Sequence, residues 1–247
     1  MTQSEFQRLI RSVAREGAFH DSKEGTYLRW SPGAGSELWI QANLDREIIG
    51  CNPHFTGEAS MRIAVTQTFH SIDRPLDGRL FGWVEPKDES NPTTGLYALS
   101  VEMPDYSLSE DLLFKHPVVA VQIAAFAEEI ANFPNERSFA FSTYSNAMAL
   151  PTVLQANNEE GVGEAPVAKI SGFVLKAEVR TNPLTEQTFL YALLETHGGT
   201  IDVVASNDLL SGAPEVGSVL VGSFWLSGRM ENRMALPRPI LSQRAWV

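Results

Sequence analysis
Residues 168–230 restrict the possible folds more than any other stretch. Apolar side chains return there at every second position, and turn residues interrupt them at short intervals. Phe173, Leu175, Ala177 and Val179 share one parity; Val174, Lys176, Glu178 and Arg180 share the other. Successive side chains of a strand point to opposite faces, so the alternation predicts a half-buried strand. The turn Thr181-Asn182-Pro183 leads into a second strand over Phe189–Thr196, and His197-Gly198-Gly199 into a third over Ile201–Ala205. Two hairpins in succession predict a compact β module.

Upstream, the residues predict further strands over Tyr27–Trp30, Glu37–Ala42, Glu47–Cys51, Met61–Phe69, Arg79–Glu85 and Leu96–Met103. Ser31-Pro32-Gly33-Ala34-Gly35-Ser36, Asp77-Gly78 and Asn91-Pro92 supply the turns between them. Two helices are expected. Ser4–Arg15 is amphipathic, with Phe6, Leu9, Ile10 and Val13 on one stripe. Val118–Phe133 is rich in alanine and repeats Val118, Val121, Ala125 and Ile130 at near-helical spacing. Arg137–Thr143 reads as one more strand. No internal repeat stands out among the residues. The polar run 156–165 is the best linker, which divides the chain into an α+β domain with an antiparallel sheet (1–155) and a β-barrel module with an Arg-containing tail (166–247). The expected class is α+β and β-rich.

Strand, strand, strand, a short helical turn at Asn207–Leu210 and a further strand over Val219–Leu226 resemble the order of an OB-fold barrel. Gly172, Gly199, Gly212 and Gly217 fall at its bends. A fifth strand would come from splitting Ser218–Met230 at Gly222 or from Arg238–Val247. The resemblance implies a binding face on the second and third strands, where Lys176, Arg180, Asn182, Tyr191, Thr200 and Asp202 are the candidates for display. Basic and aromatic side chains interleaved in this way suit a single-stranded nucleic acid. The other reading of the aromatic residues is core.

Charge weighs against the nucleic acid. The formal net charge is −11; residues 1–155 hold 20 acidic and 12 basic side chains and the rest 10 and 7, so both parts are acidic, at −8 and −3. A polyanion is repelled by such a chain unless a local basic strip overrides the balance. Arg229, Arg233, Arg238 and Arg244 give the C-terminus a basic character of its own, suited to docking on acidic surface. A hydrophobic content of 43% with 20% charged residues excludes general disorder. No apolar run reaches the ~20 residues of a spanning helix, and no signal-peptide core opens the chain, so the expectation is a cytoplasmic protein without membrane contact.

Cys51 is the only cysteine, which excludes an internal disulfide and a cysteine-based zinc site. Cys51, His54 and Glu58 form the one cluster with catalytic potential, as thiolate, general base and orienting carboxylate. A metal set of His54, Glu58, His70 and Asp73 lacks close helical spacing, and neither a phosphate-binding loop nor a nucleophile elbow occurs. The sequence therefore leads to a non-catalytic binding or adaptor protein without cofactor or metal, with a protein partner or self-association favoured. Single-stranded nucleic-acid binding and thiol catalysis through Cys51 and His54 are the alternatives.

Overall fold
The computed structural model describes residues 13, 16–70, 72–116, 118–155, 165–183, 185–210 and 213–231. The chain is β-rich, in two sheets. The first is a four-stranded antiparallel meander of β1 (Ala18–Ser22), β2 (Gly25–Gly33), β3 (Ser36–Ala42) and β4 (Ile48–Phe55). The second, nine-stranded sheet is built from β5 (Met61–His70), β6 (Gly78–Val84), β7 (Ala98–Met103), β8 (Val118–Phe133), β9 (Thr152–Gln155), β10 (Val167–Thr181), β11 (Thr188–Thr196), β12 (Gly199–Ser206) and β13 (Val219–Met230). Two α-helices are described, α1 (Tyr106–Lys115) and α2 (Glu136–Ala140).

The expected helix over Val118–Phe133 is instead β8, the longest strand. Its alanines misled the periodicity. Val119, Val121, Ile123 and Ala125 enter the main core on one face, while Ala124 and Phe126 meet Phe55 and Tyr191 on the other. A strand buried on both faces reads as a continuous apolar run, which residue spacing alone does not separate from a helix. The strand expected over Arg137–Thr143 is corrected in the opposite sense. Asn135 caps α2 by accepting from the Ser138 N–H at 2.9 Å, and Phe139 is buried beneath the helix. The helix read over Ser4–Arg15 lies outside the described residues except for Val13, which is fully buried against Trp30 and Ile40. The linker at 156–165 lies outside them except for Ala165, as do Arg233, Arg238, Arg244 and the strand considered at Arg238–Val247. β13 runs through Gly222 without a break, paired on both sides with Ile170 and Ile130, and the glycine is required because the backbone carbonyl of Glu129 sits where a Cβ would be.

Pairing in the large sheet closes twice. β5 pairs with β6, β6 with β7, β7 in parallel with β13, β13 with β8 and β8 with β5. β10 pairs with β11, β11 with β12, β12 in parallel with β8, β8 with β13 and β13 with β10. Each ring has five members, and both contain β8 and β13. Exchanging β5, β6, β7 and β8 for β10, β11, β12 and β13 reproduces the same pairings, so the two rings are related by a pseudo-two-fold axis between β8 and β13. The first strand of each set carries a bulge, at Val65/Gln67 and at Val174/Lys176. A helical segment precedes the fourth: α1 in one, the turn Asn207–Leu209 in the other. This repeat is one of topology, and it is invisible residue by residue. The bulge also breaks the parity of β10: Val174 is core, and Leu175 is the extra residue that turns outward.

Candidate functional site
The outward face of the large sheet at the pseudo-two-fold axis carries one row of paired positions: Asp202 on β12, Ala124 on β8, Ser227 on β13 and Glu102 on β7. Gln122 and Arg229 pair in the next row on the same face. The meander packs over this face with unusual chemistry. Alternation sends Leu28, Trp30, Leu38, Ile40 and Cys51 to its far side and Arg29, Glu37, Trp39, Gln41 and His54 toward the axis.

His54 is 2% exposed and holds the axis. Gln122 Nε2 donates to the Phe55 carbonyl at 3.1 Å and to Asp202 Oδ2 at 2.7 Å, so its Oε1 must accept from His54 Nε2–H at 2.8 Å. That assigns the tautomer and leaves His54 Nδ1 to accept from Ser227 Oγ at 2.9 Å. A hydroxyl on an imidazole is the geometry of an activated nucleophile, yet Ser227 is fully buried. Asp202, also fully buried, accepts from the N–H groups of Glu58 (3.0 Å) and Ala59 (2.9 Å), from Gln122 and from the Tyr191 hydroxyl (2.9 Å). The loop can wrap this carboxylate because residue 57 is glycine; a Cβ there would lie 2.2 Å from it. Burial pushes the Asp202 carboxyl up, against the pull of the two N–H groups.

Glu37 is the second anchor. It accepts from Arg29, from Trp39 Nε1 at 3.0 Å and from Thr56 Oγ1 at 2.6 Å, and Arg229 lies 3.4 Å away. Burial opposes its charge, but Arg29, Thr56 and Arg229 outweigh it and hold the carboxyl below its ordinary range. Arg229 also binds Asp105 at 3.0 Å and stacks over Trp39 at 4.6 Å. Beside this network a pocket of about 240 Å³ is lined by Thr56–Ala59, Gln122, Arg229, Met230 and Glu231.

The structure separates the catalytic candidates. Cys51 and His54 stand three positions apart on β4 and face opposite sides: Cys51 packs with Leu38 and Ile40, and burial pushes its thiol up, away from reactivity. Glu58 pairs with Lys176 at 2.7 Å and does not orient His54. His70 contacts Tyr106, and among the described residues no cluster of metal-ligating side chains forms. The binding candidates Lys176, Arg180 and Tyr191 do converge, with Tyr191 buried and the two cations half-buried at the edge of its ring. Tyr191, expected on display, is fully buried and stacks on Phe55 at 5.1 Å. Arg180 lies 4.0 Å over its ring, pairs with Glu178 and donates to the Ala34 carbonyl of the meander. Lys176 pairs with Glu58 and Glu178. Asn182 belongs to the β10–β11 turn, where its carbonyl accepts from Glu186 N–H. Thr200 Oγ1 accepts from Ser60 N–H. Glu37, Gln122, Ser227 and Arg229 escaped the sequence reading as a site. The one available signal was polar residues at inward parity in otherwise apolar strands.

His54 and Glu102 oppose each other in their pH dependence. Burial holds His54 at about 4, against an ordinary 6.5. Between those values the unfolded chain binds a proton that the folded one refuses, so stability falls as pH drops through that window, by about 1.4 kcal/mol per unit. Burial, with Asp77 nearby, raises Glu102 from 4.5 to about 7. The folded state keeps that proton, so this contribution declines as pH rises through the overlapping window. Glu102→Gln is expected to expose the His54 slope, a loss of about 2 kcal/mol between pH 6.5 and pH 5 in urea titrations. A variant equally stable at pH 6.5 and pH 5 would refute the buried neutral imidazole, and a profile identical to the parent's would refute the raised Glu102 carboxyl.

Comparison with protein families, curated proteins and solved structures returned no match to this chain.

Proposed function
We propose that this chain is a non-catalytic binding protein of the cytoplasm whose two rings are OB-like barrels sharing β8 and β13. What supports the barrel reading is the pairing order. Each ring runs first, second, third, fifth, fourth and back to first, with one parallel pair between the third and fifth members. The fifth strand that residues 168–230 lack is taken from the earlier half. β8 fills that place in the second ring, and β13 fills it in the first. Among the described residues no helix is long and apolar enough to cross a membrane.

A protein partner is favoured over nucleic acid by one observation: Lys176 and Arg180, the basic candidates of the second ring's face, are already paired with carboxylates of the chain. Arg180 is clamped between Tyr191, Glu178 and Ala34, and Lys176 between Glu58 and Glu178, while Phe55 fills the face between them. A groove that tracks a phosphate backbone needs these cations free. Labelled single-stranded DNA and RNA are therefore expected to show no anisotropy change at low salt, with Lys176→Ala and Arg180→Ala behaving as the parent. Micromolar, salt-sensitive binding that either substitution abolishes would reverse the choice.

A further inference from the structure
The two halves of β10 are not equally paired. From Val167 to Phe173 the strand has β13 along one edge, and Phe173 itself meets Val219 of β13 and Glu195 of β11 on its two sides. Val174 still uses both edges: it donates to the Ser218 carbonyl at 2.9 Å, accepts from Gly217 N–H at 2.8 Å and pairs with Leu194. From Lys176 to Thr181 only β11 remains. Among the described residues no other backbone is bonded to the second edge of this stretch. Every second residue there turns its N–H and C=O away from β11. Exposed apolar side chains flank the edge. Leu175, the bulge residue, is 43% exposed, Val179 58%, and Val216, brought alongside by the bond from Gly217 to Val174, 73%.

We propose that the Lys176–Thr181 edge pairs with the same edge of a second copy of the chain, antiparallel about a two-fold axis at Val179. An unpaired strand edge is a template for another strand, and apolar neighbours add area to the contact. Charge argues for a second copy and sets the register. With the axis at Val179, Glu178 of each copy stands opposite Arg180 of the other, and Ala177 opposite Thr181. An axis at Glu178 or at Arg180 sets like charges face to face, which destabilises a cross-strand pair. An axis at Ala177 lays Arg180 on Val174, whose edge residues 217 and 218 already occupy. The strand is thus complementary to itself in one register, as an isologous contact requires. Lys176, Glu178 and Arg180 make their pairs with Glu58 and one another off the plane of the sheet, which leaves the backbone edge clear. Two copies of charge −11 repel at a distance, but physiological salt screens that repulsion beyond about 8 Å.

This inference rests on the protein-partner reading and names the partner. The two fail separately, since an oligonucleotide that binds reverses that reading, whereas a chain that stays monomeric removes only this contact. The experiment is sedimentation equilibrium of the full chain at physiological salt over a concentration series. A monomer–dimer equilibrium with a dissociation constant on the order of 10 µM is the expected result for so short a ladder. Val179→Lys sets two lysines on the axis and is expected to weaken the dimer at least about tenfold. Leu44→Lys, at a residue 74% exposed between β3 and β4, adds the same charge elsewhere and is expected to change it less than about twofold. A parent still monomeric at about 100 µM overturns the proposal, as does a dimer that both variants weaken equally or that Val179→Lys leaves intact. Amide exchange of the unaltered chain gives a second reading if Val179→Lys fails to fold. The amides of Lys176–Thr181 on the open edge are expected to slow as concentration rises, and exchange there that ignores concentration overturns the proposal as well.

Discussion

Cutting the chain within 156–164 leaves the two fragments bound to each other. A protease site placed there in the full-length protein is expected to give two bands under denaturing conditions and one species, of intact mass, in size-exclusion chromatography at micromolar concentration. The reason is that β13 pairs with β8 from Val219/Phe133 to Met230/Val121, and β12 lies along β8 as well. Separation would strip the first ring of its fifth strand and the second ring of its own. Leu220, Phe224 and Leu226, all buried in the core shared by both fragments, would be exposed at about 2 kcal/mol each. Fragments separated in denaturant are expected to regain the native circular dichroism on mixing and not singly. Elution as two independent folded species would show that the shared strands hold nothing together.

Asp202→Ala is expected to cost about 4 kcal/mol and to lower the melting temperature by roughly 10 °C. The carboxylate is fully buried and satisfies two backbone N–H groups, the Gln122 amide and the Tyr191 hydroxyl. Its removal leaves those donors without water or partner, and an unsatisfied buried donor costs more than a formed hydrogen bond gains. The damage reaches His54, because Gln122 holds its orientation only while Asp202 accepts its amide. Asp202→Asn keeps one acceptor oxygen and turns the other into a donor facing donors, so an intermediate loss of about 2 kcal/mol is expected. Urea denaturation of both variants measures this, and an alanine variant within about 1 kcal/mol of the parent would mean that the row is hydrated instead of sealed.

The strands legible in the residues were marked by alternation or by their turns. β5 and β6 alternate about Asp77-Gly78, and β11 and β12, buried on both faces, are bracketed by the turn chemistry of His197-Gly198-Gly199. β8 was not legible, because a strand covered on both sides has no polar face to mark its period. The site residues divide in the same way. Lys176, Arg180 and Tyr191 are grouped only through the resemblance to an OB-fold barrel, and they do meet. Their direction was misjudged, since nothing in residues 168–230 reveals that Phe55, more than a hundred positions earlier, occupies their face. Cys51 and His54 looked paired because they are close in sequence, while the two-residue period of β4 sends them apart.

By itself the sequence determined a β-rich chain, an acidic charge balance, a single cysteine and a turn pattern that sets local hairpins, because each of these follows from composition or from side chains within a few positions of one another. The tertiary structure alone decided that β8 and β13 complete each other's rings, that Asp202 and Glu102 are counterparts, and that a polar meander face seals the axis between them. Those facts depend on which distant strands pair. A strand's hydrogen-bonding edge is the same backbone whatever its sequence, so the choice of partner is made by burial and register across the whole sheet.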